Sequence, residues 1–176
     1  MMSTLSGLRI SVADLVRRPG LSRTVALREP VSELGTPVTG VPAEEPVALD
    51  LTLERVPDGI VVRGTVQAQW RAECSRCLQE VSGEREVHID ELFEPHPLAG
   101  ETYLLDGDEI DLEPVVRDAL LLELPTVPLC RPDCAGLCPH CGTDRNEHTC
   151  ECTVDDTDPR WAALQALDLS PSPRES

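Results

Sequence analysis

The chain contains no lysine: all fifteen of its basic residues are arginine, set against 32 Asp and Glu for a formal net charge of −17. That shortage of cations opposes non-specific binding to bare nucleic acid, which draws its affinity from cationic side chains displacing counterions at phosphates. It suits a solvated acidic exterior or a basic protein partner. Aromatic residues are equally scarce at 2%, comprising Trp70, Trp161, Phe93 and Tyr103, so the core has to be built from Leu, Val, Ala and Ile. No apolar run approaches the ~20 residues of a membrane span. Residues 1–20 hold no run of signal-peptide length, and Arg17 and Arg18 follow rather than precede the apolar Leu8, Ile10 and Val12. The expectation is a cytoplasmic protein with no membrane partner.

Cysteine, by contrast, is abundant and patterned. The eight cysteines form four close pairs, Cys74/Cys77, Cys130/Cys134, Cys138/Cys141 and Cys150/Cys152. Two tetrahedral zinc sites would consume four thiolates each and leave none over. Cys138-Pro139-His140-Cys141-Gly142 is a knuckle whose proline and glycine let the turn fold back so that backbone N–H groups face the sulfurs. Cys150 follows Cys141 after only eight intervening residues, close enough for Cys150 and Cys152 to complete one tetrahedron. Cys74-Ser75-Arg76-Cys77 is a second knuckle, and by elimination its partners are Cys130 and Cys134, far along the chain. The competing readings are weaker. Disulfides need an oxidising compartment, and a thioredoxin-type dithiol would open a helix, whereas Cys74 and Cys77 lie between two strand-like segments. His140 and His148 lie within the distal cluster, but eight thiols already suffice, so these histidines, like His88 and His96, are expected as exposed residues.

Along the chain, residues 8–12 alternate as a short strand, residues 13–18 make a short turn or helix, Pro19-Gly20 is a break, and residues 24–27 suggest another strand. Residues 29–46 carry Pro30, Gly35, Pro37, Gly40 and Pro42 without a stable period, predicting a loop or mobile arm. The clearest pattern follows. Val47, Leu49, Leu51 and Leu53 alternate with polar neighbours, Pro57-Asp58-Gly59 makes a turn, and Ile60, Val62, Gly64, Val66, Ala68 and Trp70 continue the period of a half-buried strand. Val81, Val87 and Ile89 predict a returning strand, which puts the first knuckle in place of a hairpin turn. Residues 84–113 hold eleven acidic residues and one arginine, with loop around residues 95–100 and short strands at 102–104 and 109–111. They lack the spacing of an EF-hand and suggest a solvated surface. Asp111 is placed to cap a helix that admits Pro114 in its first turn and ends at Pro125, with Leu112, Val115, Val116, Ala119, Leu120, Leu122 and Leu124 as a broad apolar face. Asp158-Pro159 starts a last helix bearing Trp161, Leu164 and Leu167.

Together these readings predict an α+β fold. It is a mainly antiparallel β-sheet or partly open barrel covered by one or two helices, with a zinc-knuckle C-terminal region. The expected organisation is a mainly β body with its covering helix over residues 1–129, a cysteine-rich zinc-binding region over 130–157, a C-terminal helix over 158–169 and a disordered tail over 170–176. Closed four-thiolate sites offer no open metal position for chemistry, so no catalytic residue and no enzymatic activity are expected.

Several motifs occur in an order that resembles the YceD-like family of bacterial and plastid proteins. They are Cys74-Ser75-Arg76-Cys77-Leu78, Glu109-Ile110-Asp111-Leu112, Leu124-Pro125 through Leu129-Cys130, Gly136-Leu137-Cys138-Pro139-His140-Cys141-Gly142, and Asp158-Pro159-Arg160. The resemblance spans about residues 47–167 and implies a role in accumulation and processing of large-subunit ribosomal RNA, without established enzymatic activity. It implies as partner a large-subunit ribosomal RNA precursor, a basic ribosomal protein, or both, and genes of the family commonly lie beside that of a small ribosomal protein. Arg145-Asn146 departs from a Leu-Asn pair found in many relatives. The alternative reading is a zinc-ribbon protein-interaction adaptor outside ribosome assembly.

Overall fold

In the computed structural model, which describes residues 7–18 and 20–152, alternation of side chains builds most of the sheet. The elements in chain order are β1 (Arg9–Ser11), α1 (Ala13–Val16), β2 (Ser22–Glu29), β3 (Thr39–Gly40), β4 (Val47–Arg55), β5 (Ile60–Glu73), β6 (Glu80–Glu94), β7 (Tyr103–Asp106), β8 (Glu109–Asp111) and α2 (Glu113–Glu123). They form an eight-stranded sheet in the order β1-β8-β7-β6-β5-β4-β2, with β3 added on β5 beyond the end of β4. Among the described residues only β6 and β7 pair in parallel, Phe93 lying opposite Tyr103 with ring centroids 5.4 Å apart.

The predicted period is realised on β4 and β5. Val47, Leu49, Leu51, Leu53, Ile60, Val62, Val66 and Ala68 are all buried, while Asp50, Thr52, Glu54, Arg63 and Gln69 face water. Gly64 lies opposite Leu51 with φ +150°, and a Cβ there would fall 2.1 Å from the Asp50 carbonyl oxygen. The glycine is what lets the two strands approach. The sheet curls because its edge strands β1 and β2 are joined through α1. Arg23 on β2 donates to the Ser11 carbonyl at 2.7 Å and pairs with Asp14 at 2.9 Å, drawing the two edges together. This curled half-barrel is the partly open barrel expected from the sequence.

α2 covers β5 and β6 with Val115, Val116 and Leu120, all buried, whereas Leu122, expected on the same face, is 86% exposed because it falls on the opposite side of the helix from Leu120. Its cap falls at Leu112, and the Asp111 carboxylate accepts the Glu113 N–H at 3.0 Å. Leu124 is extended ahead of Pro125, which stops the helix.

Residues 29–46 are irregular as expected but are not a mobile arm. Val31, Leu34 and Val41 enter the core, β3 pairs with Arg71 and Ala72, and the buried Thr39 hydroxyl donates to the Pro125 carbonyl at 2.7 Å. The acidic run is also more regular than its composition suggests. Its first part is the outer face of β6, where Glu84, Glu86, His88 and Asp90 are exposed. The chain divides into two compact units between Cys134 and Ala135, which places Cys130 and Cys134 in the unit that holds the sheet. The helix predicted for residues 158–169 and the tail after it lie outside the described residues. Among those described, no helix is long and apolar enough to cross a membrane.

Candidate metal centres

The first centre grows out of the long β5–β6 hairpin. Glu73 and Glu80 are its last paired residues, so residues 74–79 form the connection. The Cys74 N–H donates to the Gln79 carbonyl at 2.8 Å and the Leu78 N–H to the Cys74 carbonyl at 2.9 Å, folding both sulfurs to one side. The other two ligands arrive on the segment after α2. That segment is held by the Ser75 N–H on the Pro128 carbonyl at 2.8 Å and by the Arg76 guanidinium on the Cys134 carbonyl, also at 2.8 Å. Cys74, Cys77, Cys130 and Cys134 then converge with their sulfurs all within 4.8 Å of one another.

The second centre lies wholly in the second unit. The Cys138 N–H donates to the Thr143 carbonyl at 2.8 Å and the Gly142 N–H to the Cys138 carbonyl at 2.9 Å, with Gly142 at φ +72°. The Asn146 side chain, next to the divergent Arg145, accepts the Ala135 N–H at 2.8 Å and so ties the finger across its base. Cys138, Cys141, Cys150 and Cys152 form the second group of four. His140 and His148 are exposed and supply no atom to either group.

The donor sets fit a tetrahedral ion. Zinc–sulfur bonds of ~2.3 Å place sulfurs on tetrahedron edges of about 3.8 Å. In the first centre Cys74 and Cys134 are 3.8 Å apart and Cys77 and Cys130 3.6 Å, far longer than a disulfide. Electrostatics agree with the geometry. Burial raises the Cys74 thiol, but backbone N–H groups of Cys130, Cys77 and Arg76 outweigh it and bring it down to about 6. Cys130 is pushed up to about 12, first by desolvation and then by the neighbouring thiols. The second centre repeats the division. The Thr143 hydroxyl and N–H lower Cys141 to about 6, and Cys141 with desolvation raises Cys152 to about 12. Four thiols this close cannot all ionise together unless a cation compensates them. Each group of four can therefore hold a metal ion.

Spacing and elimination in the sequence yield the same two sets of four that the fold brings together. What they missed are the supports: Arg76, Thr39 and Thr143. Thr143 immediately follows a knuckle and Arg76 sits inside one, which is a usable signal, but Thr39 reaches a carbonyl 86 residues away and has none. Arginines near the first knuckle do not form an open basic patch. Arg71 pairs with Glu44 and Glu45 at 3.3 and 3.5 Å, Arg85 donates to the Glu123 carbonyl at 3.1 Å, and Arg131 pairs with Asp133 at 3.4 Å.

A curled β half-barrel whose long hairpin ends in a cysteine knuckle, together with a second cysteine-rich unit, defines a class of small proteins with two four-cysteine groups that can each hold a metal ion. The chain belongs to the YceD family: the model described as large ribosomal RNA subunit accumulation protein YceD matches residues 62–168. An uncharacterized protein of Mycobacterium tuberculosis is 38% identical over 168 residues, covering 90% of this chain and 80% of its own length. An uncharacterized protein of Mycobacterium leprae is 36% identical over 176 residues, covering 91% and 77%. The uncharacterized protein YlbN of Bacillus subtilis is 31% identical over 108 residues, covering 58% of this chain and 63% of its own. No solved structure matches the chain.

Proposed function

We propose that this protein is a cytoplasmic, non-enzymatic ribosome-biogenesis factor that promotes accumulation of large-subunit ribosomal RNA by scaffolding. The observation that carries the reading is membership of the YceD family over residues 62–168, with the role its description names. Cys74, Cys77, Cys130 and Cys134 hold one structural zinc, and Cys138, Cys141, Cys150 and Cys152 hold the other. When bound, the ions supply cross-linking charge rather than a reactive position, because four thiolates close the coordination sphere. The chain's own residues do the rest: Arg76, Ser75 and Thr39 lock the hairpin end to the segment after α2, making a rigid surface.

Of the two partner classes, a basic ribosomal protein is better supported than the RNA precursor itself. The arginines near the first knuckle are exposed but already paired within the chain, and the net charge is −17. Depletion of the protein in cells, followed by hybridisation analysis of large-subunit RNA and its precursors, tests the reading. Mature large-subunit RNA falls and precursors rise if it is right, and unchanged levels of both refute it.

A further inference from the structure

The two knuckles make the same turn with different residues. Gly142 occupies the closing position of one at φ +72°, and Leu78 occupies it in the other at φ +62°, each N–H donating at 2.9 Å to the carbonyl of the first cysteine. Left-handed backbone is natural for glycine and strained for leucine. Leu78 gains nothing from burial in return, since 58% of it is exposed. An apolar side chain held in water at the cost of backbone strain points to contact with something outside the chain.

The surroundings say what kind of partner. Leu78 lines an open groove of about 730 Å³ that runs beside Cys74 between the hairpin end and the β3 loop, where Val38 is 48% exposed. Glu73 and Glu80 line the same groove and face each other directly across the hairpin. Like charges in that position repel, and neither carboxylate forms an ion pair among the described residues. Arg71, the cation on the groove wall, is already engaged by Glu44 and Glu45. The groove thus offers exposed aliphatic contacts beside two uncompensated carboxylates.

We propose that this groove docks a segment of a basic protein, with Leu78 and Val38 covering an apolar side chain of the segment and Glu73 and Glu80 pairing with its Lys or Arg. The proposal rests on the scaffold reading above and names the surface through which it acts.

The test uses full-length, zinc-loaded protein carrying the photo-crosslinker p-benzoylphenylalanine in place of Val38. It is irradiated separately with the basic proteins stripped from large ribosomal subunits by high salt and with the protein-free RNA of the same subunits. The expected result is an adduct to a basic polypeptide that falls about tenfold with Leu78→Gly and with Glu73→Gln/Glu80→Gln. Leu78→Gly suits the turn, so its melting temperature and zinc content stay at or above wild type. Adducts to RNA, adduct yields unaffected by the substitutions, or no adduct in the protein fraction would each overturn the proposal. Cells whose only copy is Leu78→Gly separate the two claims. A precursor defect matching depletion supports docking at the groove. A depletion defect without a Leu78→Gly defect sinks the groove alone, and absence of a depletion defect sinks the functional reading itself.

Discussion

Single residues carry strain and polarity that their neighbours must satisfy. Gly64 is the clearest case: Gly64→Ala forces a Cβ against the Asp50 carbonyl at 2.1 Å and should destabilise the sheet by about 2–4 kcal/mol in urea denaturation. Leu78→Gly should do the opposite and raise stability by about 1 kcal/mol, because it relieves left-handed backbone at φ +62°. Tyr103 is the chain's one tyrosine and reports on its own surroundings. Burial first, then its hydrogen bond to Asp118 at 3.1 Å, raises its phenol to about 12. A folded-state value above the unfolded one means that the neutral phenol stabilises the fold at neutral pH. That contribution disappears as pH rises from the unfolded value of ~10 through the folded one. Ultraviolet absorbance of the phenolate should therefore show a midpoint well above pH 11, and Asp118→Asn should lower it.

At the scale of elements, what was legible and what was not follow from the range of the interactions. β4 and β5 declare themselves because one face of each is buried, so the period of two is written into Val47, Leu49, Leu51 and Leu53 and resumed at Ile60. The knuckles declare themselves because a metal needs its ligands at fixed spacing, and counting to eight closes the sets. Residues 29–46 do not, since what orders them is long-range: a two-residue strand on β5 and the Thr39 hydroxyl on Pro125. The returning strand declares itself through Val81, Val87 and Ile89, but carboxylates fill the outer positions of β6 and few of its residues are fully buried, so its extension to Glu94 is not written as an apolar period. The anchored loop is testable by hydrogen exchange. The Val41 N–H, bonded to the Leu34 carbonyl at 2.8 Å, should exchange slowly in wild type. Thr39→Val should accelerate it and cost about 1 kcal/mol of stability, in keeping with the loss of one hydrogen bond.

For the whole molecule, the decisive energies on the proposed reading are those of two metal clips. Structural zinc binds with roughly 10–16 kcal/mol, as large as the net stability of an ordinary domain. Cys77→Ser should remove one ion and expose residues 74–79 and 125–134 to rapid exchange. Cys150→Ser should remove the other and leave the far-ultraviolet circular dichroism of the sheet nearly intact, because its centre lies in the other compact unit. Acid should release both ions, since the ligands must be thiolates and protons compete for them. Two such clips would let a chain with 2% aromatic residues hold a defined surface. The claim that two closed four-thiolate centres organise this protein is tested most directly by native mass spectrometry of the intact chain purified without reductant. The account predicts a single species carrying two zinc ions and no disulfide. A metal-free chain lighter by two hydrogens for each oxidised cysteine pair would contradict it, as would a species limited to one zinc.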